Sequence, residues 1–399
     1  IYTGEDTLSL HDALPICPRS FQNDGSLSLA TTLNFTNDVV FTNNGTVDIQ
    51  GDFDLHYVSG SSNAVNNYGT ITKSGGTGTS NIGENPNFQF TNEPSGVLGV
   101  TSGSITLFQN GTYDGTFSIG TSAEMTAGFT VPFIGSTINN DGLISFGNLQ
   151  MSGSNAQTIN GNGTINNFDM RNGAGVTLGG NQTITSNMTW AIGIITTGSN
   201  AFKLSSGISQ AISGNSWCHG NLEMELVPNT NMIFESGDAS RFARVLLHLS
   251  STTPGSITLH TEPGDDADIA NSGIDPTKSV NRTYAFTNNG LTNIQGWINF
   301  NWDGNDEDAG SNSANYIVAN NNGGTWTSYN TVVNNSQALT AFNIDALNTF
   351  QVGESIIPTP AAALNFTGSG ENITLPYGLP TSDEITYEAW INPTSINNQ

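Results

Sequence analysis

The amino-acid sequence predicts an all-β chain in which a parallel β-helix over residues 21–214 leads into an antiparallel β-sandwich over residues 215–355. Three observations carry this expectation. A polar turn built on Asn and Gly, followed by a short alternating run, recurs as Asn43-Asn44-Gly45-Thr46-Val47, Asn66-Asn67-Tyr68-Gly69-Thr70-Ile71, Asn139-Asn140-Asp141-Gly142-Leu143-Ile144 and Gly161-Asn162-Gly163-Thr164-Ile165. A spacing of about two dozen residues is one supersecondary unit, which buries its apolar face only by stacking on its neighbours. The alternating runs between these turns are too short for the strands of an ordinary sandwich and suit the flat walls of a β-helix. Near Gly214 the texture changes to denser apolar residues and longer strands.

Taken in order, residues 1–20 lack an initiator Met, a basic region and a continuous apolar stretch. The string Leu8-Ser9-Leu10-His11-Asp12-Ala13-Leu14-Pro15-Ile16 looks like translated adapter sequence, so this leader is read as non-native or disordered and set aside. The native start of the protein, with any targeting signal, is expected upstream. Over residues 21–214, runs such as Leu27-Ser28-Leu29, Thr46-Val47-Asp48-Ile49, Ser104-Ile105-Thr106-Leu107 and Val176-Thr177-Leu178 place Ile, Leu, Val and Phe on one face and Thr, Ser, Asn and Gln on the other. From 215 to 355, Trp217, Leu222, Met224, Leu226, Met232 and Phe234 come close together. Longer runs follow at Ser256-Ile257-Thr258-Leu259-His260, Thr283-Tyr284-Ala285-Phe286 and Gly296-Trp297-Ile298-Asn299-Phe300-Asn301-Trp302, as in a sandwich. Residues 356–362 contain Pro358 and Pro360, which hold the backbone extended and make a stiff linker.

The 399 residues carry 33 Asp and Glu against 8 Lys and Arg, a formal net charge of -25. Nucleic acid and anionic membrane surfaces are poor partners for such a chain, because both are held by Lys and Arg. No apolar run approaches the length of a membrane span. With only Cys17 and Cys218 available, no disulfide framework is expected, and Cys218 reads as a small buried apolar residue.

Several segments carry a resemblance. The stretch Gln157-Thr158-Ile159-Asn160-Gly161-Asn162-Gly163-Thr164-Ile165-Asn166-Asn167-Phe168 and the runs after it resemble the Gly-Thr-rich, Asn-punctuated coils of surface proteins from Bacteroidetes-type bacteria. Residues 272–284, the acidic Asp-Ala-Gly loop, the Asn-Tyr-Ile-Val strand and Thr349-Phe350-Gln351-Val352-Gly353 resemble, in order, a segment recurrent in those proteins. Ala363-Leu364-Asn365-Phe366-Thr367-Gly368 and Tyr387-Glu388-Ala389-Trp390-Ile391 resemble the opening strands of a laminin-G-like (concanavalin A-like) jelly roll, of which 363–399 would be an N-terminal fragment. The resemblance implies a secreted protein or one on the outer cell surface of a Gram-negative bacterium. It implies adhesion, with extracellular glycans or surface proteins as partners.

For chemistry, the loop Asp303-Gly304-Asn305-Asp306-Glu307-Asp308 offers oxygen ligands, and Asp303, Asn305, Glu307 and Asp308 are the candidate calcium ligands, set against a plain solvated acidic loop. Thr261-Glu262-Pro263-Gly264-Asp265-Asp266-Ala267-Asp268 is a second acidic cluster that would join the first if the fold brings both to one end. Calcium is the one cofactor these loops suggest. Trp302 and Trp326 are the candidate sugar-stacking residues, while Trp297 and Trp302 are expected on opposite faces of their strand, one of them in the core. In the β-helix, Asp48, Asp52 and Asp54 lie near His56 and Lys73, with Asp52 and Asp54 expected on one strand face. No zinc-protease spacing, nucleophile elbow or phosphate-binding loop is present.

The resulting expectation is a monomeric, non-enzymatic surface protein whose β-helix is a spacer for glycan- or protein-contacting modules. The rival is a polysaccharide lyase or glycoside hydrolase with its site on the β-helix wall. Carboxylates converging with Lys73 or Arg171 in a groove would favour the enzyme; a wall of Thr and Asn would favour the spacer.

Overall fold

The computed structural model describes residues 8–10, 20–108 and 111–356. The linker beyond 356 and the jelly-roll fragment 363–399 lie outside the described residues, as do Cys17 and most of the leader. Leu8–Leu10 of that leader forms a strand parallel to Leu27–Leu29. The fold is nearly all-β and opens with a parallel β-solenoid of about 11 turns.

Each coil contributes short strands whose neighbours in the sheet are the matching strands of the coils before and after. In one inward column Leu27, Val47, Ile71, Leu98, Phe117, Ile138 and Ile159 stack in register. All are 2% exposed or less. A slip of one residue would turn every one of these side chains to solvent, so the apolar alternation itself fixes the register. A second column runs Leu55, Ile82, Leu107 and Ala127, and a third Phe41, Val65 and Phe90.

The recurring Asn and Gly do more than turn the chain. Asn23, Asn43, Asn67 and Asn92 stack at one corner, the Nδ2 of each of the first three donating to the Oδ1 of the next at 2.7–2.8 Å. Spare donors go to backbone carbonyls: Asn67 Nδ2 also reaches the Val97 carbonyl oxygen and Asn92 Nδ2 that of Thr116. Such a ladder satisfies buried amides with copies of themselves, as in stacked cross-β assemblies. Beside it, a Cβ on Gly69 would lie 2.0 Å from the Gly45 carbonyl oxygen, and one on Gly45 equally close to that of Gly25. Glycine is required there by the approach of coil to coil.

Parallel pairing continues beyond the expected boundary at 214. Strand Ser209–Glu225 pairs in parallel with Gln182–Leu204, for example Leu204 with Met224, while its other edge holds a last short parallel pairing of Cys218 and His219 with Ser236–Gly237 and then pairs antiparallel with Ser256–Pro263. The hydrogen-bonding sense switches across this one strand. The dense apolar residues from Trp217 onward mark that seam, and one continuous core extends from Leu27 to Val352 across it. Residues up to Ile356 accordingly form a single compact unit.

Beyond the seam the strands are antiparallel. One sheet continues from Ser256–Pro263 through Ile274–Asn289, Thr349–Ser355 and Tyr316–Asn322. The other runs Asn231–Phe234, Val245–Ser250, Gln295–Asn301 and Ala338–Ile344. Thr325–Asn335 pairs with both. Phe300 of the second sheet meets Tyr284, Phe286 and Phe350 of the first at ring centroid distances of 4.9, 6.5 and 5.4 Å, so aromatic packing ties the sheets together. Cys218 is free and fully buried, and burial pushes its thiol well above the usual range. It is an inert core residue, as expected.

Candidate functional site

The acidic loop is held by side chains of the protein itself. Asp303 Oδ1 accepts from the backbone N–H and the amide of Asn305, at 2.9 and 2.6 Å, which holds the Asp303 carboxyl below its ordinary range. Glu307 accepts from Trp302 Nε1 at 2.7 Å. Asp308 accepts from the Ser279 N–H and the Asn281 amide. Of the expected calcium ligands, Asp303 and Asn305 thus bond each other, while Glu307 and Asp308 are turned to other partners. Asp306, between them and fully buried, takes Arg282 Nε at 2.8 Å and Arg241 at 2.6 Å. Arg282, also fully buried, reaches on to Asp238 at 2.6 Å. This network, which the sequence spacing does not reveal, clamps the loop to the turn that follows the last parallel pairing.

The two acidic clusters do come to one end. Ser279 Oγ lies 2.6 Å from Asp265 and 3.2 Å from Asp308. Burial, reinforced by the Asp308 charge, raises the Asp265 carboxyl above its ordinary value.

Of the two aromatic expectations, that for Trp302 needs correction. Trp302 is 5% exposed, packs on Tyr316 and donates to Glu307, so it offers no face to a sugar. Trp326 is half-buried against Ile269, Ile274 and Ala319, with its Nε1 on Asp268 at 3.2 Å. The outward residue of the pair is Trp297. Its strand alternates, with Ile298 and Phe300 buried and Trp297 on the opposite face. Across the sheet it pairs with His248 on one side and Phe342 on the other. The His248 and Trp297 rings lie within 6° of parallel at 5.5 Å, and Phe342 is 37% exposed. A Cβ on Gly296 would lie 2.0 Å from the His248 carbonyl oxygen, so glycine is what lets these strands close up beside Trp297.

These three rings line a pocket of about 580 Å³ whose remaining lining includes Asn229, Gln295, Asn343 and Asp345. Asn231 fixes His248 Nδ1 at 3.0 Å, and Tyr329 donates to Asp345 at 2.9 Å. Apolar rings bordered by amides and a carboxylate can bind a ligand that has both a C–H face and hydroxyl groups. Alternation in the sequence could identify Trp297 as outward; only the strand register brings His248 and Phe342 beside it.

On the solenoid, Lys73 is fully buried. It replaces an aliphatic residue in a column between Ile49 and Val100, and its ammonium is held by the Gly51 and Gly75 carbonyls and by Asp52 at 2.8 Å. That hydrogen bond lowers the Asp52 carboxyl. Asp52 and Asp54 both precede the strand Leu55–Tyr57 and do not share a strand face. Arg171 pairs with Asp169 at 2.6 Å. Among the described residues no helix is long and apolar enough to cross a membrane. Comparison with models of known protein families, with curated proteins and with solved structures finds no match to this chain.

Proposed function

We propose that this chain is part of a secreted or cell-surface adhesion protein of a Gram-negative bacterium, in which the solenoid is a spacer and the antiparallel strands form a sandwich module that contacts glycans. The laminin-G-like stretch at 363–399 would belong to a further module of the same kind. The observation that carries the reading is the pocket walled by His248, Trp297 and Phe342. A sugar ring presents a C–H face that packs on aromatic carbon and hydroxyls that pair with amides, which is the chemistry available there. The enzymatic alternative, a lyase or hydrolase on the β-helix wall, loses support because Lys73, its nearest base, is buried and saturated with partners.

The test is affinity electrophoresis of the protein through gels containing soluble neutral polysaccharides, backed by a glycan array. Retardation on at least one glycan, weakened roughly tenfold or more by Trp297→Ala (about 1.4 kcal/mol) with an unchanged melting temperature, is expected. Binding that survives Trp297→Ala unchanged, or no binding to any glycan, would refute it.

A further inference from the structure

Leu55 is fully buried and pairs with Leu33 of the coil before and Ile82 of the coil after. Its flanking residues Asp54, just before the strand, and His56, within it, are both part-exposed. In the following coil the chain leaves Ile82 through Gly83, whose φ of +78° is a left-handed conformation that suits glycine, and presents Glu84 to the same spot. His56 Nδ1 lies 2.9 Å from Glu84 Oε2. One ligand atom from each of Asp54, His56 and Glu84 lies within 4.8 Å of the other two, and among the described residues this is the one such group of three His, Cys, Asp or Glu side chains.

We propose that Asp54, His56 and Glu84 form a binding site for a divalent transition cation of the zinc class, bridging two neighbouring coils of the solenoid. Imidazole nitrogen with two carboxylates is a zinc-type donor set, whereas calcium takes six to eight oxygens. Ligand atoms around tetrahedral zinc stand about 3.4 Å apart for bonds of about 2.0–2.1 Å, so closing the group takes side-chain shifts of about an ångström and no movement of the coils. The Asn81 backbone N–H donates to Asp54 Oδ1 at 2.6 Å, which orients that carboxylate as outer-shell partners orient metal ligands. His56 and Glu84 are part-exposed, with side chains 39% and 29% accessible, so a cation can reach them and water can complete the coordination. Since the ligands come from two coils, the ion would bind the folded solenoid and not the unfolded chain, and so would raise its melting temperature.

The experiment is isothermal titration of chelator-treated full-length protein with ZnCl2 and, separately, CaCl2, with thermal melts in parallel. We expect saturable one-to-one zinc binding, a melting temperature raised by a few degrees, and no calcium response at this site. His56→Ala and the surface variant Glu84→Gln should each weaken zinc at least tenfold, while His260→Ala, which alters another His–Glu pair at 2.7 Å, should leave it unchanged. Circular dichroism establishes that each variant is folded, and Glu84→Gln alone decides the matter if His56→Ala is not. Absence of saturable zinc binding, zinc affinity unaltered in Glu84→Gln, or calcium bound as tightly at the same residues would overturn the proposal.

Discussion

The solenoid and the antiparallel region share one core but solve the problem of buried polarity in opposite ways. Along one corner of the solenoid, Lys73 apart, buried polar groups are repeated: Asn23, Asn43 and Asn67 each donate to another Asn one coil away. In the antiparallel region they are singular, with Arg282, Asp306, Asp238 and Arg241 forming one charged network. Repetition makes every coil interface nearly self-sufficient, so the loss of one rung is shared with its neighbours. A single charged network concentrates the cost of damage at one place.

The sharpest way to break this contrast is Arg282→Ala. Removing the guanidinium leaves the buried carboxylates of Asp306 and Asp238 without it, which costs about 3–5 kcal/mol. Urea unfolding should show the loss, and a loss below about 1 kcal/mol would mean that the network is incidental. Asn67→Ala should cost less, about 1–3 kcal/mol, since it orphans one amide donor on Asn43 and one acceptor on Asn92 without stranding a charge. A cost equal to that of Arg282→Ala would erase the distinction between the two regions.

A graded effect comes with acid. Burial alone would raise the Asp238 carboxyl, but the Ser240 and Arg241 backbone N–H groups and the Arg282 guanidinium outweigh it and hold the value at about 2, below the ordinary 3.8. A carboxyl lowered on folding contributes stability that is complete above pH 3.8 and is lost as pH falls through about 2. Exchange protection in the antiparallel region should therefore fall within that window ahead of protection at the Asn ladder, whose amides do not titrate. Simultaneous loss in both regions would show that the clamp does not govern acid unfolding.

Much of this fold is legible in the sequence, because alternation over short runs and the return of Asn-Gly turns are local signals. The β-helix and the burial of Cys218 follow from them. The role of the asparagines does not. Asn43 and Asn67 read as turn formers, yet among the described residues the asparagines with positive φ are Asn37, Asn229, Asn293 and Asn343. The ladder residues are instead the buried last residues of strands, a property set by the coil above and below. The boundary near 214 is displaced for a similar reason: Ser209–Glu225 stays parallel to Gln182–Leu204 along one edge and changes from parallel to antiparallel partners along the other, which strand composition does not encode. Trp302 and Trp297 are alike in sequence, and the burial of one and the outward place of the other come from the alternation of the strand together with the loop that begins at Asp303.

The stacking of coils at the spacing of a hydrogen-bonded sheet is what everything else depends on, and distances between spin labels test it directly. With Cys17 and Cys218 replaced by Ser, labels at Ser28 and Asn160 occupy one outward column that passes through Asp48, Thr72, Gly99, Ser118 and Asn139. Six strand spacings of about 4.8 Å place their backbones about 29 Å apart, and labels at Asp48 and Asn139, four spacings apart, about 19 Å. Two narrow distributions whose centres differ by about 10 Å are the predicted result; broad distributions, or centres that do not scale with the number of coils between the labels, would contradict it.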